Sequence, residues 1–278
     1  MYQTLISVAE AKGLNGNVVF VDCRHQLGNP AWGSEQYDLG HLPQARFVHV
    51  DHDLSAPIIA GKTGRHPLPT SESLITLFGK LGIGATTQVV AYDQDNGMFA
   101  ARLWWLLRAM GHKQVAVLDG GYAAWVASGG AVENTQPELG EALFNGQWQP
   151  HMVDSNNVLA HLGKPNRVLI DARLPSRFKG LEEPIDTKAG HIPGAINLPF
   201  NENLEHGFWR SKEDLKARFE HFLDPALDRE IVCYCGSGIT ACHNILAFAH
   251  AGLAEPLLYA GSWSEWIVDD ERPIAMKN

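Results

Sequence analysis

The chain has 278 residues, 45% of them hydrophobic, enough for two packed domains. Its formal net charge of −9, from 22 basic and 31 acidic residues, argues against general nucleic-acid binding. No apolar run is long enough to cross a bilayer, and Met1-Tyr2-Gln3-Thr4 lacks the basic and apolar regions of a signal peptide, so a reducing cytoplasm is the expected compartment.

In chain order, Val18–Val21 reads as a buried strand and is followed by Asp22-Cys23-Arg24, then by Gly40-His41-Leu42-Pro43-Gln44-Ala45. Val89–Tyr92 is a second such strand, followed by Asp93. Ala100 to Met110 has helical apolar spacing and ends at Gly111. Val115–Leu118 and Gly120-Gly121-Tyr122-Ala123-Ala124-Trp125 follow. Asn134 to Pro150, rich in Gly, Pro, Gln, Asn and Glu, reads as a linker.

The same series then recurs roughly 150 residues on. Val168–Ile170 leads into Asp171-Ala172-Arg173, then Gly190-His191-Ile192-Pro193-Gly194-Ala195. Ile231–Tyr234 leads into Cys235, a helical run from Ala241 to Ala251 and Gly261-Ser262-Trp263-Ser264-Glu265-Trp266. The first copy carries extra residues around Ile58 to His66. A period this long means two duplicated domains. The expected fold class is α/β, two copies of a mostly parallel sheet with helices on both faces. The expected boundaries are 1–135 for an inactive domain, 136–150 for a linker and 151–278 for a catalytic domain.

The copies differ at one telling position: Tyr92 is followed by Asp93, and Tyr234 by Cys235. The loop Cys235-Gly236-Ser237-Gly238-Ile239-Thr240 joins a strand to a helix, so its backbone N–H groups and the helix dipole converge on one point. A thiolate there is stabilised, and its pKa is expected to fall. Cys23, Cys233 and Cys242 read as small buried hydrophobes. No cysteine spacing fits a metal, and no metal or organic cofactor is expected. Ser237 is either a turn residue or a hydrogen-bond donor within the site. A phosphatase cysteine needs an arginine six residues on, where this chain has Ala241. The reading that survives is a thiolate that carries sulfur as a persulfide.

The Gly40–Ala45 and Gly190–Ala195 motifs, the run Ala101 to His112 and the Cys235 loop together resemble tandem-domain rhodanese-type sulfurtransferases over nearly the whole chain. The resemblance implies two rhodanese domains, the first inactive. It implies ping-pong transfer of a sulfane sulfur from a small donor, through a Cys235 persulfide, to a thiol or cyanide acceptor or a thioredoxin-like protein. Cys-Gly-Ser-Gly-Ile-Thr is similar to the loop of 3-mercaptopyruvate sulfurtransferases; thiosulfate sulfurtransferases place basic residues after the cysteine. The donor-binding arginine of the family matches Arg177, which can grip a carboxylate or sulfonate with two hydrogen bonds. A second arginine, expected a few residues after Glu183-Pro184, is missing: Ile185 follows, and Lys188 reads as a surface residue. Mercaptopyruvate is favoured and thiosulfate stays open, as does a persulfide carrier with little small-molecule turnover. The family's Asp–His–Ser set maps onto Asp51, His66 and Ser237, with Gly236, Gly238, Ile239 and Thr240 forming the sulfur cradle. For His66 a plain surface-loop role is the alternative. His41 and His191, present in both copies, read as structural.

Overall fold

A computed structural model describes residues 1–138, 140–149, 151–220 and 229–276. The chain forms two compact units. The first comprises Met1–Ala56, Leu68–Pro150 and His206–Trp209; the second comprises Pro57–Pro67, His151–Glu205 and Arg210–Asn278. The extra segment of the first half is therefore part of the second unit.

The first unit holds a parallel sheet in the order Leu5–Ile6, Val115–Leu118, Gln88–Tyr92, Val18–Asp22, Arg46–Phe47. The second repeats that order with Met152–Val153, Leu257–Tyr259, Glu230–Tyr234, Arg167–Asp171 and Ile196–Asn197. The central strands lack polar alternation because both sheet faces are covered. In the first unit Val90, Tyr92, Ala116 and Leu118 face a core shared with Ala11 and Trp125 of two short helices. The alternate residues Val89, Ala91, Val115 and Val117 are also fully buried, and helix Ala100–Ala109 packs on those strands. In the second unit Val232, Tyr234 and Tyr259 meet Trp263 and Trp266, while helix Thr240–His250 packs on the same strands.

A polar device is duplicated with the sheet. Arg24 Nη2 lies 2.7 Å from Asp22 Oδ2 and donates to the Gly40 carbonyl; Arg173 Nη2 lies 2.6 Å from Asp171 Oδ2 and donates to the Gly190 carbonyl. All four charged residues are buried, where an ion pair holds only if its remaining hydrogen bonds are filled. His41 Nδ1 bonds the Tyr37 carbonyl and His191 Nδ1 the Phe178 carbonyl, each at 2.8 Å, so both histidines are struts. The stretch with linker composition packs on the first unit: the Ala142 N–H donates to the Gly79 carbonyl, and the buried Phe144 ring lies 5.0 Å from Phe78. Among the described residues no helix is long and apolar enough to cross a membrane.

Candidate active site

Strand Glu230–Tyr234 ends at Cys235, and helix Thr240–His250 begins five residues later with Ile239 as its N-cap. The turn between them is stitched at both ends. The Cys235 N–H donates to Ser262 Oγ at 3.1 Å, and the Cys235 carbonyl accepts from the Trp263 N–H at 3.0 Å. The Ser264 N–H donates to the Gly236 carbonyl, and Cys242 Sγ donates to the Gly238 carbonyl. Inside the turn the Gly238 N–H donates to Cys235 Sγ at 3.2 Å. An N–H aimed at sulfur at a helix N-terminus favours negative charge on that sulfur. Ser237 Oγ and His66 Nδ1 are hydrogen-bonded at 2.7 Å, and both residues are buried.

Two guanidinium groups border the loop at Gly236. A methyl group there would lie 2.8 Å from Arg65 Nη2 and 3.3 Å from Arg177 Nη1. Arg177 grips Glu183 through Nε and Nη2, and its Nη2 also donates to Asp186 at 2.9 Å. Arg65 pairs with the other oxygen of Asp186. Burial, and then the charge of Arg177, push the Arg65 guanidinium below its usual pKa.

Cys235, Ser237, His66, Arg177, Gly236, Gly238, Ile239 and Thr240 thus all lie in the second unit. Asp51 lies in the first, with its carboxylate 3.8 Å from His25 Nε2. His25, His49 and Asp51 offer donor atoms within 4.8 Å of one another. Both ring nitrogens of His49 are already engaged, one by the Asp51 N–H and one by the Pro30 carbonyl, which leaves that ring no lone pair for a cation. Sequence reasoning missed Arg65, Asp186 and Ser262. Arg65 sits beside His66 in sequence, which is a usable signal. Ser262 occupies φ 56°, where its repeat counterpart Gly121 has φ 57°. The active copy keeps a serine in a backbone conformation suited to glycine, and its hydroxyl holds the Cys235 N–H.

The first unit fills the equivalent turn with its own anion. Asp93 accepts from the N–H groups of Gly97, Phe99 and Ala100 at 2.9, 2.8 and 3.2 Å. Burial outweighs those three bonds and pushes its carboxyl up to about 6 from an ordinary 3.8. An acid with a raised folded-state pKa holds its proton more tightly when folded. The stability it contributes is fully present below pH 3.8 and is lost as pH rises through about 6, a span on the order of 3 kcal/mol. Asp93→Asn removes that slope. Between pH 4 and 7, hydrogen-exchange protection of helix Ala100–Ala109 is expected to fall in the wild type relative to the variant; parallel curves contradict it.

A cysteine on an anion-stabilising strand-to-helix turn, in one copy of a duplicated parallel α/β fold, defines a thiol-dependent group-transfer enzyme. Comparison with known proteins gives the class its family. Residues 7–128 and 154–269 each match the rhodanese-like domain. A probable 3-mercaptopyruvate sulfurtransferase of Pseudomonas aeruginosa is 45% identical over 262 residues, 93% of this chain and 92% of its own length. The putative thiosulfate sulfurtransferase SseB of Mycobacterium tuberculosis is 39% identical over 285 residues, 98% and 96% of the two chains. The crystal structure of SseA from Escherichia coli, described with the 3-mercaptopyruvate sulfotransferases, matches with a TM-score of 0.80 at 29% identity, over 95% of this chain and all of that one. The chain belongs to the tandem rhodanese-domain sulfurtransferases. Such an enzyme takes sulfur from a donor and passes it to an acceptor.

Proposed function

We propose that the protein moves a sulfur atom from 3-mercaptopyruvate, carried as the sulfane sulfur of a persulfide on Cys235, to a thiol or cyanide acceptor. The observation that carries this reading is the Gly238 N–H directed at Cys235 Sγ, with two guanidinium groups beside Gly236. The Cys235 thiolate attacks the donor sulfur. An S–S bond forms, the donor C–S bond breaks, and its electron pair leaves as the enolate of pyruvate, which then takes a proton. Sulfur remains on Cys235 as S–SH. An acceptor thiolate next attacks the outer sulfur and restores the Cys235 thiolate, so the cycle is ping-pong. The Ser237–His66 pair lies beside this path and suits proton delivery to the enolate. Arg177 orients the donor carboxylate. The first unit, its turn occupied by Asp93, serves as a scaffold. Asp51, the remaining member of the family's Asp–His–Ser set, keeps its catalytic assignment in this proposal, as the carboxylate partner of that set; His25 and His49 have no part in it. The cytoplasm, with a thioredoxin-like acceptor, is the setting we propose.

Thiosulfate is the alternative donor, supported by the number of cationic groups at Gly236. The decisive measurement is kcat/KM for both donors with one acceptor, alongside intact mass after exposure to each. Mercaptopyruvate is expected to be the better donor and to add one sulfur. A strong preference for thiosulfate reverses the donor, and stoichiometric loading without turnover makes the protein a carrier.

A further inference from the structure

Asp186 is placed unusually for a carboxylate beside an anion site. One of its oxygens takes Arg65 Nη1 and the other takes Arg177 Nη2, so a single side chain ties the two guanidinium groups together. It is only 4% exposed. Glu183, equally covered, grips the other edge of Arg177 and is itself fixed by the Ile185 and Asp186 N–H groups. What remains is one edge of each arginine. Among the described residues Arg65 Nη2 and Arg177 Nη1 have no hydrogen-bond partner in the protein, and both face Gly236, next to the Cys235 thiol. The geometry offers a small anion two N–H edges. The local charge offers it little more, because Arg65 and Arg177 stand against Asp186 and Glu183, while Arg173, which also reaches Glu183, is matched by Asp171. An open groove of about 230 Å³, lined in part by Arg65, Ile185, Asp186 and Ser264, borders the Arg65–Asp186 pair.

We propose that the Arg65–Asp186–Arg177 bridge sets the donor charge the site accepts, with Asp186 holding it near neutrality and so favouring a monoanionic donor over a dianion. This rests on the sulfur-transfer reading above. Interaction with a fixed charge grows linearly with ligand charge, so a change of one unit at the site acts twice as strongly, in free energy, on a dianion. As a ratio of rates, the factor for thiosulfate is about the square of that for mercaptopyruvate. Asp186 and Arg65 are specificity and positioning residues here; neither touches the transferred sulfur.

The test is donor kcat/KM for wild type, Asp186→Asn, Asp186→Glu and Arg65→Gln at low ionic strength, with folding checked by circular dichroism. Asp186→Asn leaves the site one unit more positive. It is expected to raise the thiosulfate value about tenfold and the mercaptopyruvate value about threefold, and to steepen the salt dependence for thiosulfate. Arg65→Gln is expected to move the ratio of the two donors the opposite way by a similar factor, and Asp186→Glu to keep the wild-type ratio. A ratio unchanged by both charge-altering variants, or moved in the same direction by both, overturns the proposal. If one of them does not fold, the direction seen in the other decides. A wild type that loads sulfur from neither donor refutes the sulfur-transfer reading instead.

Discussion

Cys235→Ser is expected to abolish sulfur loading and to lower turnover with either donor by about four orders of magnitude or more. A hydroxyl is far less acidic and less nucleophilic than a thiol, and an oxygen cannot hold the sulfane sulfur as a stable persulfide. The fold has little reason to change. Serine is the smaller residue, and the bonds that fix the turn run through the Cys235 backbone to Ser262 and Trp263. The comparison variant is Cys233→Ala, on the preceding strand. Burial holds the Cys233 thiol well above its ordinary pKa, and the neighbouring Cys242 and Cys235 add to this. It is inert, so Cys233→Ala should still gain one sulfur. Intact mass after donor treatment reads both. Loading that survives Cys235→Ser, or disappears with Cys233→Ala, moves the nucleophile elsewhere.

The core of this architecture is legible in the chain because its central strands carry unbroken stretches of three or four apolar residues and the duplication shows the pattern twice. The edge strands are not. Leu5–Ile6, Arg46–Phe47, Met152–Val153 and Ile196–Asn197 have two residues each, too few to show a period. The strand–glycine–helix signal around Cys235 is local and therefore visible. The network on Gly236 is not local: Arg65 reaches it from a segment more than a hundred residues away, and Asp186 from an irregular loop. Composition likewise reads Asn134 to Pro150 as a linker, because an isolated aromatic such as Phe144 shows no pattern until a packing partner such as Phe78 is known. The Ser237–His66 pair was reachable only through the family resemblance, since nothing in the spacing of the two residues brings them together.

Gly238→Ala is expected to be the most damaging substitution in the turn short of removing the thiol. Gly238 has φ 81°, a region that costs an alanine about 1 kcal/mol. A methyl group there would also run into the backbone carbonyl of Ala260. That carbonyl cannot easily yield, because Ala260 lies two residues before Ser262, whose hydroxyl holds the Cys235 N–H and donates to the Tyr259 carbonyl. Strain and overpacking together should destabilise the second unit by roughly 3 kcal/mol. Relief of the clash requires the loop to shift, which carries the Gly238 N–H off Cys235 Sγ. Loss of one such donor lowers a rate by about 10²–10³-fold, and the loss should be equal for both donors because this N–H serves the sulfur and not the donor's charge. Gly194→Ala separates strain from contact. Gly194 has φ 78°, but nothing lies within 4 Å of the added methyl. It should cost about 1 kcal/mol of stability and leave kcat/KM unchanged. Thermal melts and donor kinetics on the two variants distinguish the effects. A Gly238→Ala enzyme with wild-type kinetics would remove the Gly238 N–H from the mechanism.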